Sequence, residues 1–278
     1  MSRIEFRKMH GLGNDFVVVD GRVRDPGLGE VDYRAIGDRR RGVGYDQFLT
    51  LLPARSGGDV FMQIQNPDGS EAGACGNGTR CVAALVMDEL GREDLALETI
   101  AGTLMCKRAE DGMVTVDMGP ARLDWREIPL AAEADTAAIP VAGFENLGPA
   151  VGINMGNPHL VFFVEDAEAV DLPKIGPRIE HHPILPDRGN IEFVSSLGVD
   201  HLRMRVWERS AGITQACGSG ACAVGVAAIR RGLTGRAVTV TLDGGDLKIF
   251  WRPDGHVEMT GPVATSYTGT LDLADLVG

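Results

Sequence analysis

The stretch ACGNG at residues 74–78 returns as ACGSG at residues 216–220, an offset of 217 − 75 = 142 positions. Each copy places a cysteine, Cys75 or Cys217, directly before a glycine-rich turn and a long apolar segment. Other polar residues recur at nearly the same offset: Asn14 with Asn157, Gln47 with Asn190, and Asn66 with Glu208. Because several polar positions share the offset, we interpret the chain as two homologous halves whose paired positions meet at one site.

The apolar periodicity predicts an α+β fold with two pseudosymmetric domains. Each half contains a series of strand-like segments and one strongly apolar helix, over 76–91 and over 218–232. Because each helix is apolar nearly all round, we expect a curved sheet wrapped around a buried central helix. The domains are predicted at 1–119 and 120–262. The segment 263–278 contains a further candidate strand that could pack on either half.

The composition is that of an acidic globular protein. The 278 residues carry a formal net charge of −12, with a pI of about 4.9. Nucleic-acid binding would need a basic face, and the one dense basic run, Arg39–Arg41, is typical of a solvated surface. The first residues are charged, and no apolar run approaches the roughly 18 residues of a membrane helix. We therefore expect a cytoplasmic protein that binds neither nucleic acid nor a membrane.

The cysteines are predicted to be free thiols. Their number is odd and no C-x-x-C spacing occurs, which argues against a disulfide framework or a zinc ribbon. The five are Cys75, Cys81, Cys106, Cys217 and Cys222. Cys81 and Cys222 lie inside the apolar helices, where packing is the simpler interpretation.

Cys75 and Cys217 stand where a helix begins, and this position has chemical consequences. Unpaired backbone N–H groups and the helix dipole lower the pKa of a nearby thiol and can hold a carboxylate. The residues that follow each cysteine, Gly76 with Asn77 and Gly218 with Ser219, supply close backbone approach and further amide groups.

Two such cysteines at one site predict a cofactor-independent amino-acid racemase or epimerase. One thiolate would remove the α-proton of the substrate while the opposite thiol returns a proton to the other face. The simplest alternative is that both are small buried cysteines in tight turns, but the repeat with matched polar positions favours catalysis. Pyridoxal phosphate would need a Schiff-base lysine, and no lysine lies in a glycine-rich motif. A metal site is also disfavoured, because the adjacent pair His181-His182 lacks ligand spacing.

The sequence resembles the diaminopimelate epimerase family over essentially its whole length. The motifs that carry the resemblance are KMHGLGNDFVVVD, GVGYDQ, NPDGSEAGACGNGTRC, GNPHLVFFV, GNIEFV, WERSAGITQACGSGAC and MTGPVA. The resemblance implies epimerisation of LL- to meso-diaminopimelate, in lysine and peptidoglycan precursor synthesis, without a cofactor or metal. It also implies a barrel-like mixed or antiparallel sheet around a central helix in each half, with 263–278 returning to the first domain.

The family resemblance also implies a role for each matched residue. Cys75 and Cys217 correspond to the catalytic cysteines, and His159 and Glu208 to residues that tune the cysteine pKa values. Tyr267 corresponds to a contact in a homodimer. The implied substrate-binding residues are Asn14, Gln47, Asn66, Gly76, Asn77, Asn157, Asn190, Glu208, Arg209, Gly218 and Ser219. Arg209 would pair with the distant carboxylate of diaminopimelate.

Three residues depart from the family pattern. Ser210 and Ile213 stand where Gly and Glu are expected, and Tyr45 replaces a smaller residue near Gln47; all three could reshape the rim of the pocket. Two rival functions stay open at this point: a proline or hydroxyproline racemase with the same paired thiols, and a redox or ligand-binding protein whose thiols form a disulfide.

Overall fold

The computed structural model describes residues 3–276 of the chain. The predicted domain ends at positions 1–2 and 277–278 lie outside the described residues. The described chain forms two compact units. The first contains the described residues up to Val116 together with those from Gly261 onward, and the second is Asp117–Thr260. The sequence-based boundaries at 119 and 262 stay a prediction, because compactness alone does not show that either unit folds independently.

Strands dominate the described chain. They are β1 (Arg3–Gly11), β2 (Asn14–Asp20), β3 (Gln47–Leu52), β4 (Val60–Gln65), β5 (Asp94–Thr99), β6 (Gly102–Arg108), β7 (Val114–Pro120), β8 (Val151–Asn154), β9 (Pro158–Phe163), β10 (Asn190–Gly198), β11 (His201–Glu208), β12 (Gly212–Ile213), β13 (Ala237–Leu242), β14 (Gly245–Trp251), β15 (His256–Gly261) and β16 (Ala264–Asp272). The helices are α1 (Glu30–Gly37), α2 (Gly76–Leu90), α3 (Leu172–Glu180), α4 (Gly218–Arg230) and α5 (Leu273–Leu276), with short 3-10 turns at Glu110–Gly112 and Glu145–Leu147.

The first unit is a mixed sheet in the order β16-β1-β2-β3-β4-β5-β6-β7. The pairs β2/β3 and β4/β5 are parallel, and the other neighbours run antiparallel. Helix α2 packs against β1, β2, β3, β5 and β6. Because the helix touches strands as far apart in this order as β1 and β6, the sheet curves around it.

The second unit repeats this arrangement in the order β8-β9-β10-β11-β13-β14-β15. Its parallel pairs are β9/β10 and β11/β13, and its other neighbours are antiparallel. Helix α4 packs against β8, β9, β10, β11, β13 and β14. The predicted α+β fold of two pseudosymmetric halves, each a mixed sheet around a central helix, is confirmed.

The two central helices are buried for the reason that their composition predicts. All residues of α2 from Asn77 to Ala84 are buried, and α4 is buried from Gly220 to Ala228. Helix α2 ends at Gly91, whose left-handed φ of 63° suits a glycine C-cap.

Helices α1 and α3 were not predicted from the sequence. They occupy equivalent places, between β2 and β3 and between β9 and β10. The C-terminal strand β16 pairs antiparallel with β1, as the family resemblance implies. No helix within the described residues is long and apolar enough to cross a membrane.

Candidate active site

Each of the cysteines Cys75 and Cys217, with the polar residues around it, is called a half-site. The first half-site contains Cys75 and is built around the start of α2. Cys75 is the N-cap residue, and its Sγ accepts a hydrogen bond from the backbone N–H of Gly78 at 3.3 Å. The carbonyl of Cys75 accepts hydrogen bonds from the backbone and the hydroxyl of Thr79, at 2.8 and 2.9 Å. The thiol is half-buried. Its position follows from local sequence, because Gly-Asn-Gly lets the chain turn tightly into the helix.

Asn14 is oriented by a charged network on the first unit. Its Nδ2 donates to Asp46 at 2.8 Å, which leaves its Oδ1 as acceptor for Asn77 Nδ2 at 3.1 Å and within 3.9 Å of Cys75 Sγ. Arg39 donates to Asp46 and to Asp15, at 2.6 and 2.7 Å. Arg39 is therefore not merely solvated, as its basic run suggested.

The network also depends on Asp15. Lys8 is buried and donates to this carboxylate, in addition to the carbonyl of Gly44. Although burial acts to raise it, the hydrogen bonds from Arg39 and Lys8 lower the pKa of Asp15 to about 2. The carboxylate stays charged at neutral pH and keeps Arg39 in place.

Gln47 and Asn66 lie together at adjacent strand ends. Gln47 Nε2 donates to Asn66 Oδ1 at 3.3 Å, and Asn66 Nδ2 donates to the hydroxyl of Ser70 at 3.0 Å. Hydrogen bonds within the first unit thus hold both amides.

The second half-site is built around the start of α4. Cys217 is the N-cap residue, and its Sγ accepts from the backbone N–H of Gly220 at 3.4 Å and lies 3.7 Å from Ser219 Oγ. Unlike Cys75, it is buried, with 4% exposure. The two cysteines therefore have the same backbone setting but different solvation.

Glu208 lies beside Cys217. The carboxylate of Glu208 accepts a hydrogen bond from the Thr214 hydroxyl. Burial raises the pKa of Glu208 above its ordinary value, while the Thr214 hydroxyl and the Cys217 thiol partly offset the increase. The carboxyl group of Glu208 therefore holds a proton more tightly than that of an exposed glutamate.

For Cys217, the expectation from the sequence that the thiol has a lowered pKa is wrong. The helix N-terminus was expected to lower it, but burial raises the pKa of the Cys217 thiol well above its ordinary value, and the charges of Glu208 and Glu192 add to the increase. Desolvation outweighs the favourable N–H of Gly220. Cys217 therefore rests as a protonated thiol.

His159 is fully buried between two polar partners. Its Nδ1 lies 2.6 Å from Glu192 Oε1, and its Nε2 lies 2.9 Å from Asn157 Oδ1. His159 thus contacts Asn157, another of the predicted site residues.

The turn after β11 carries Arg209 at the surface. Its backbone N–H donates to Asn190 Oδ1 at 2.9 Å, and Asn190 Nδ2 donates to the carbonyl of Pro158 at 3.0 Å. Buried Glu180 of α3 accepts from Trp207 Nε1 at 2.7 Å and from the N–H of Ser210 at 3.0 Å. Asn190 and Glu180 together fix the path of the Arg209 backbone.

The three departures from the family pattern have different structural consequences. Tyr45 does not shape a pocket rim: it is buried, donates through Oη to the carbonyl of Tyr33 at 2.6 Å, and packs against Phe48. Ser210 adopts a left-handed φ of 64°. Ile213 is exposed on the short strand β12.

Several residues that build the half-sites were not singled out from sequence. They are Asp46, Gly78, Glu180, Glu192 and Gly220. The offset that pairs the cysteines also pairs Gly78 with Gly220, so the repeat held a signal for these two. The carboxylates lacked such a signal, because their partners come from distant strands and helices.

Solved structures of similar fold include a phenazine biosynthesis protein of the PhzF family from Enterococcus faecalis, with a TM-score of 0.70 and 16% identity. The alignment covers 98% of this chain and 100% of that one. A hydroxyproline epimerase from Agrobacterium vitis gives a TM-score of 0.63 at 18% identity, covering 97% and 92% of the two chains. At these identities the likeness shows the fold alone.

Sequence comparison, together with the two cysteine half-sites, defines an isomerase of the racemase and epimerase class. The family model for diaminopimelate epimerase matches residues 6–123 and 151–266. A diaminopimelate epimerase of Rhodospirillum centenum is 61% identical over 98% of this chain and 94% of its own, and one of Phenylobacterium zucineum is 51% identical over 96% and 97%. The chain belongs to the diaminopimelate epimerase family. The predicted isomerase activity, epimerisation of diaminopimelate in lysine biosynthesis, is confirmed.

Proposed function

We propose that the protein interconverts LL- and meso-diaminopimelate by a two-base mechanism in which Cys75 and Cys217 act from opposite faces of one substrate carbon. The observation that carries the proposal is the repeat: both cysteines are N-cap residues of equivalent buried helices, and each Sγ accepts the N–H of the third helical residue. The mechanism requires the two half-sites to act on one substrate molecule.

The proton transfers balance without a cofactor. A thiolate at Cys75 takes the α-proton, so that a C–H bond breaks and an S–H bond forms. The electron pair left on carbon delocalises into the neighbouring carboxylate. The Cys217 thiol then donates its proton to the opposite face, and the configuration inverts. In the reverse reaction Cys217 is the base and Cys75 the acid.

The helix starts supply electrostatic stabilisation. Both Gly76 and Gly218 begin helices whose first backbone N–H groups have no partner within the helix. A substrate carboxylate held by these groups gains most when negative charge builds on its oxygens in the transition state. Asn77 and Ser219 add polar side chains at the same two turns.

Glu208 provides a place for the Cys217 proton. Because Cys217 rests as a protonated thiol, it can act as the acid. When it must act as the base, Glu208 can take the proton, and its raised pKa brings the two groups closer in proton affinity. His159 supports the same half-site through Asn157.

Diaminopimelate carries a second amino-acid group, which does not react. We assign the recognition of this group to Arg209 and to a set of amide side chains. Arg209 is exposed, and an arginine can hold a carboxylate with two parallel hydrogen bonds. The amide side chains of Asn14, Gln47, Asn66, Asn157 and Asn190 offer both donors and acceptors. A substrate with two zwitterionic ends has no net charge, so the net charge of −12 is no obstacle.

We propose that the protein works in the cytoplasm, that its product also serves peptidoglycan precursor synthesis, and that it forms a homodimer through β16. The exposed ring of Tyr267 supports the dimer proposal: it stands on this outer strand and packs edge-on against Phe6, with centroids 6.0 Å apart.

The mechanism is tested by isotope exchange. Incubation with LL-diaminopimelate in deuterated water, with reductant and no added cofactor, should give meso product with deuterium at the inverted carbon. Product without deuterium would refute the proton-transfer mechanism. Parallel incubations with L-proline and trans-4-hydroxy-L-proline should show no exchange, and turnover of either would favour the rival racemase. Absence of turnover on all three, with reduced thiols, would favour a non-enzymatic thiol protein.

A further inference from the structure

Glu192 and His159 form a buried ionisable pair in the second half-site. Both side chains have 0% exposure, and His159 Nδ1 lies 2.6 Å from Glu192 Oε1. Among the described residues, the second oxygen of Glu192 has no hydrogen-bond partner. Because an uncompensated buried charge is costly, a pair in this position needs either a structural or a functional reason.

The contacts of the ring indicate that the pair carries one shared proton. His159 Nε2 lies 2.9 Å from Asn157 Oδ1, an acceptor, so Nε2 must carry a hydrogen. Nδ1 faces a carboxyl oxygen, so the proton between them sits either on the ring or on Glu192. In both arrangements the pair as a whole is neutral, and the ring is held with Nε2–H toward Asn157.

The first half shows that the fold does not need this pair. The strand register pairs Phe16 with Gln47 in the first unit and His159 with Asn190 in the second. Two residues further along, the equivalent of Glu192 is Leu49. The same topology thus forms with a phenylalanine and a leucine at these positions, which argues against a purely structural role.

The pair also adjoins the catalytic helix start. A Cβ built on Gly220 would lie 3.0 Å from Glu192 Oε1 and 3.1 Å from Cys217 Sγ. In the first half the equivalent Gly78 faces a Leu49 methyl group at 3.1 Å instead. The carboxyl of Glu192 is therefore placed against the turn that holds Cys217, and an apolar group against the turn that holds Cys75.

We propose that Glu192 is a positioning residue for epimerisation, acting through His159. It fixes the ring with Nε2–H on Asn157 Oδ1, which turns the Asn157 amide nitrogen outward as a donor for substrate. The proposal rests on the proposed function, because it takes Asn157 and Cys217 as site residues. The pair makes the two half-sites chemically unequal. Among the described residues, Glu192 and His159 share a proton next to the turn of Cys217, whereas Leu49 and Phe16 occupy the equivalent positions in the first half.

The pH dependence of this half-site involves several groups on different elements. Glu192 lies on β10, and it faces His159 from β9, Glu208 from β11 and Cys217 from α4. The titration of these groups is coupled, so it appears as a rise or fall of kcat/KM with pH. Removing the carboxyl group of Glu192 should therefore shift the pH at which this change occurs, and should not merely lower the maximum of kcat/KM.

The test compares E192L, which installs the first-half residue, with E192Q, which keeps the shape but cannot share the proton. E192L should lower kcat/KM by about 10- to 100-fold, the size seen when outer partners of metal-bound histidines are removed. E192Q should fall between E192L and the wild type, with a displaced pH limb. A far-downfield Nδ1 proton of His159 in the wild-type NMR spectrum should be absent in E192L.

E98Q is the matched control: Glu98 is also buried and accepts hydrogen bonds from the backbone N–H groups of Arg55, Ser56 and Gly58.

A double-mutant cycle separates positioning from general destabilisation. If Glu192 acts through His159, adding H159F to E192L should cost little further activity, since the two losses are not additive. Wild-type kcat/KM and pH profile in E192Q would overturn the proposal, even if E192L failed to fold. Fully additive losses in the cycle would also overturn it. Failure of the wild type to epimerise diaminopimelate would instead refute the proposed function, so the two failures are distinguishable.

Discussion

The backbone N–H of Gly220 donates to Cys217 Sγ at 3.4 Å, and a Cβ on Gly220 would lie 3.1 Å from that same sulfur. Gly78 has the same relationship to Cys75, with a hydrogen bond of 3.3 Å and a Cβ-to-sulfur distance of 3.4 Å. A side chain at position 220 would therefore press on the Cys217 thiol, whereas one at position 78 would crowd a Leu49 methyl group at 3.1 Å and only touch the Cys75 sulfur.

Gly220→Ala should reduce kcat strongly while the protein stays folded. The added methyl group displaces the Cys217 thiol and the carboxyl of Glu192, whereas alanine is favoured over glycine in a helix by about 1 kcal/mol. Steady-state kinetics with thermal unfolding would measure both effects. Gly78→Ala is the comparison and should lose less activity, because its sulfur is farther away and the facing atom belongs to a Leu49 side chain. Wild-type kcat in Gly220→Ala would contradict this account of the turn.

Cys75→Ala and Cys217→Ala should each abolish epimerisation. In the proposed mechanism, loss of either thiol removes one of two proton-transfer groups, and each such group contributes about 10²- to 10⁴-fold to rate. The measurement is meso product formed from the LL isomer, with Cys106→Ala as a control at a buried cysteine outside both half-sites. Near-full activity in either catalytic variant would show that a single base suffices.

Glu208→Gln should stabilise the protein at neutral pH and lower its activity. Burial raises the folded-state pKa of Glu208 above the ordinary value of 4.5, so the folded protein binds this proton more tightly than the unfolded chain. The carboxyl group therefore destabilises the fold as pH rises above 4.5, up to its folded-state pKa, and has no such effect well below 4.5.

The gain in the free energy of unfolding of Glu208→Gln over wild type should accordingly be near zero at acidic pH and grow toward neutrality. Denaturant unfolding at a series of pH values would give this difference directly. A pH-independent difference would mean that Glu208 is not the titrating group. Activity should fall over the same pH range, because glutamine cannot accept the Cys217 proton.

Arg209→Gln should raise KM for diaminopimelate more than it lowers kcat. The proposed role of the guanidinium is to bind the carboxylate at the far end of the substrate, and hydrogen bonds to charged groups contribute about 1.5–3 kcal/mol. Its backbone N–H bond to Asn190 survives the substitution, so the turn should keep its path. Exposed Arg126 offers a control on the same unit, and Arg126→Gln should leave KM unchanged. An equal KM in Arg209→Gln and wild type would remove Arg209 from the binding site.

The repeat explains why so much of this molecule could be predicted. A shared offset located both cysteines, both central helices and the paired strands, because each half buries its helix by the same local pattern. The register of Phe16 with Gln47 and of His159 with Asn190 shows how closely the halves correspond.

What the sequence missed depends on contacts between distant elements. The raised pKa of Cys217 comes from burial and from the charges of Glu208 and Glu192, which a helix-start argument does not include. Glu180 contacts the Arg209 turn from α3, a helix that was not predicted. Tyr45 was assigned to a rim because it lies near Gln47 in sequence, yet its ring belongs to the core.

Ser210→Gly should stabilise the protein. Ser210 has a φ of 64°, a left-handed conformation that costs a residue with a Cβ about 1–2 kcal/mol. Glycine removes this strain but also gains freedom in the unfolded chain, so the net increase in the free energy of unfolding should be about 0.5–1 kcal/mol.

The hydrogen bond from the N–H of residue 210 to Glu180 is kept in this variant, so the Arg209 turn and the kinetic constants should not change. Ser210→Ala separates strain from side-chain loss, because alanine retains the Cβ and should give no increase in stability. Equal stabilisation by alanine and glycine would show that the serine hydroxyl, and not the backbone conformation, is the destabilising group. Denaturant unfolding of the three proteins under identical conditions decides between these outcomes.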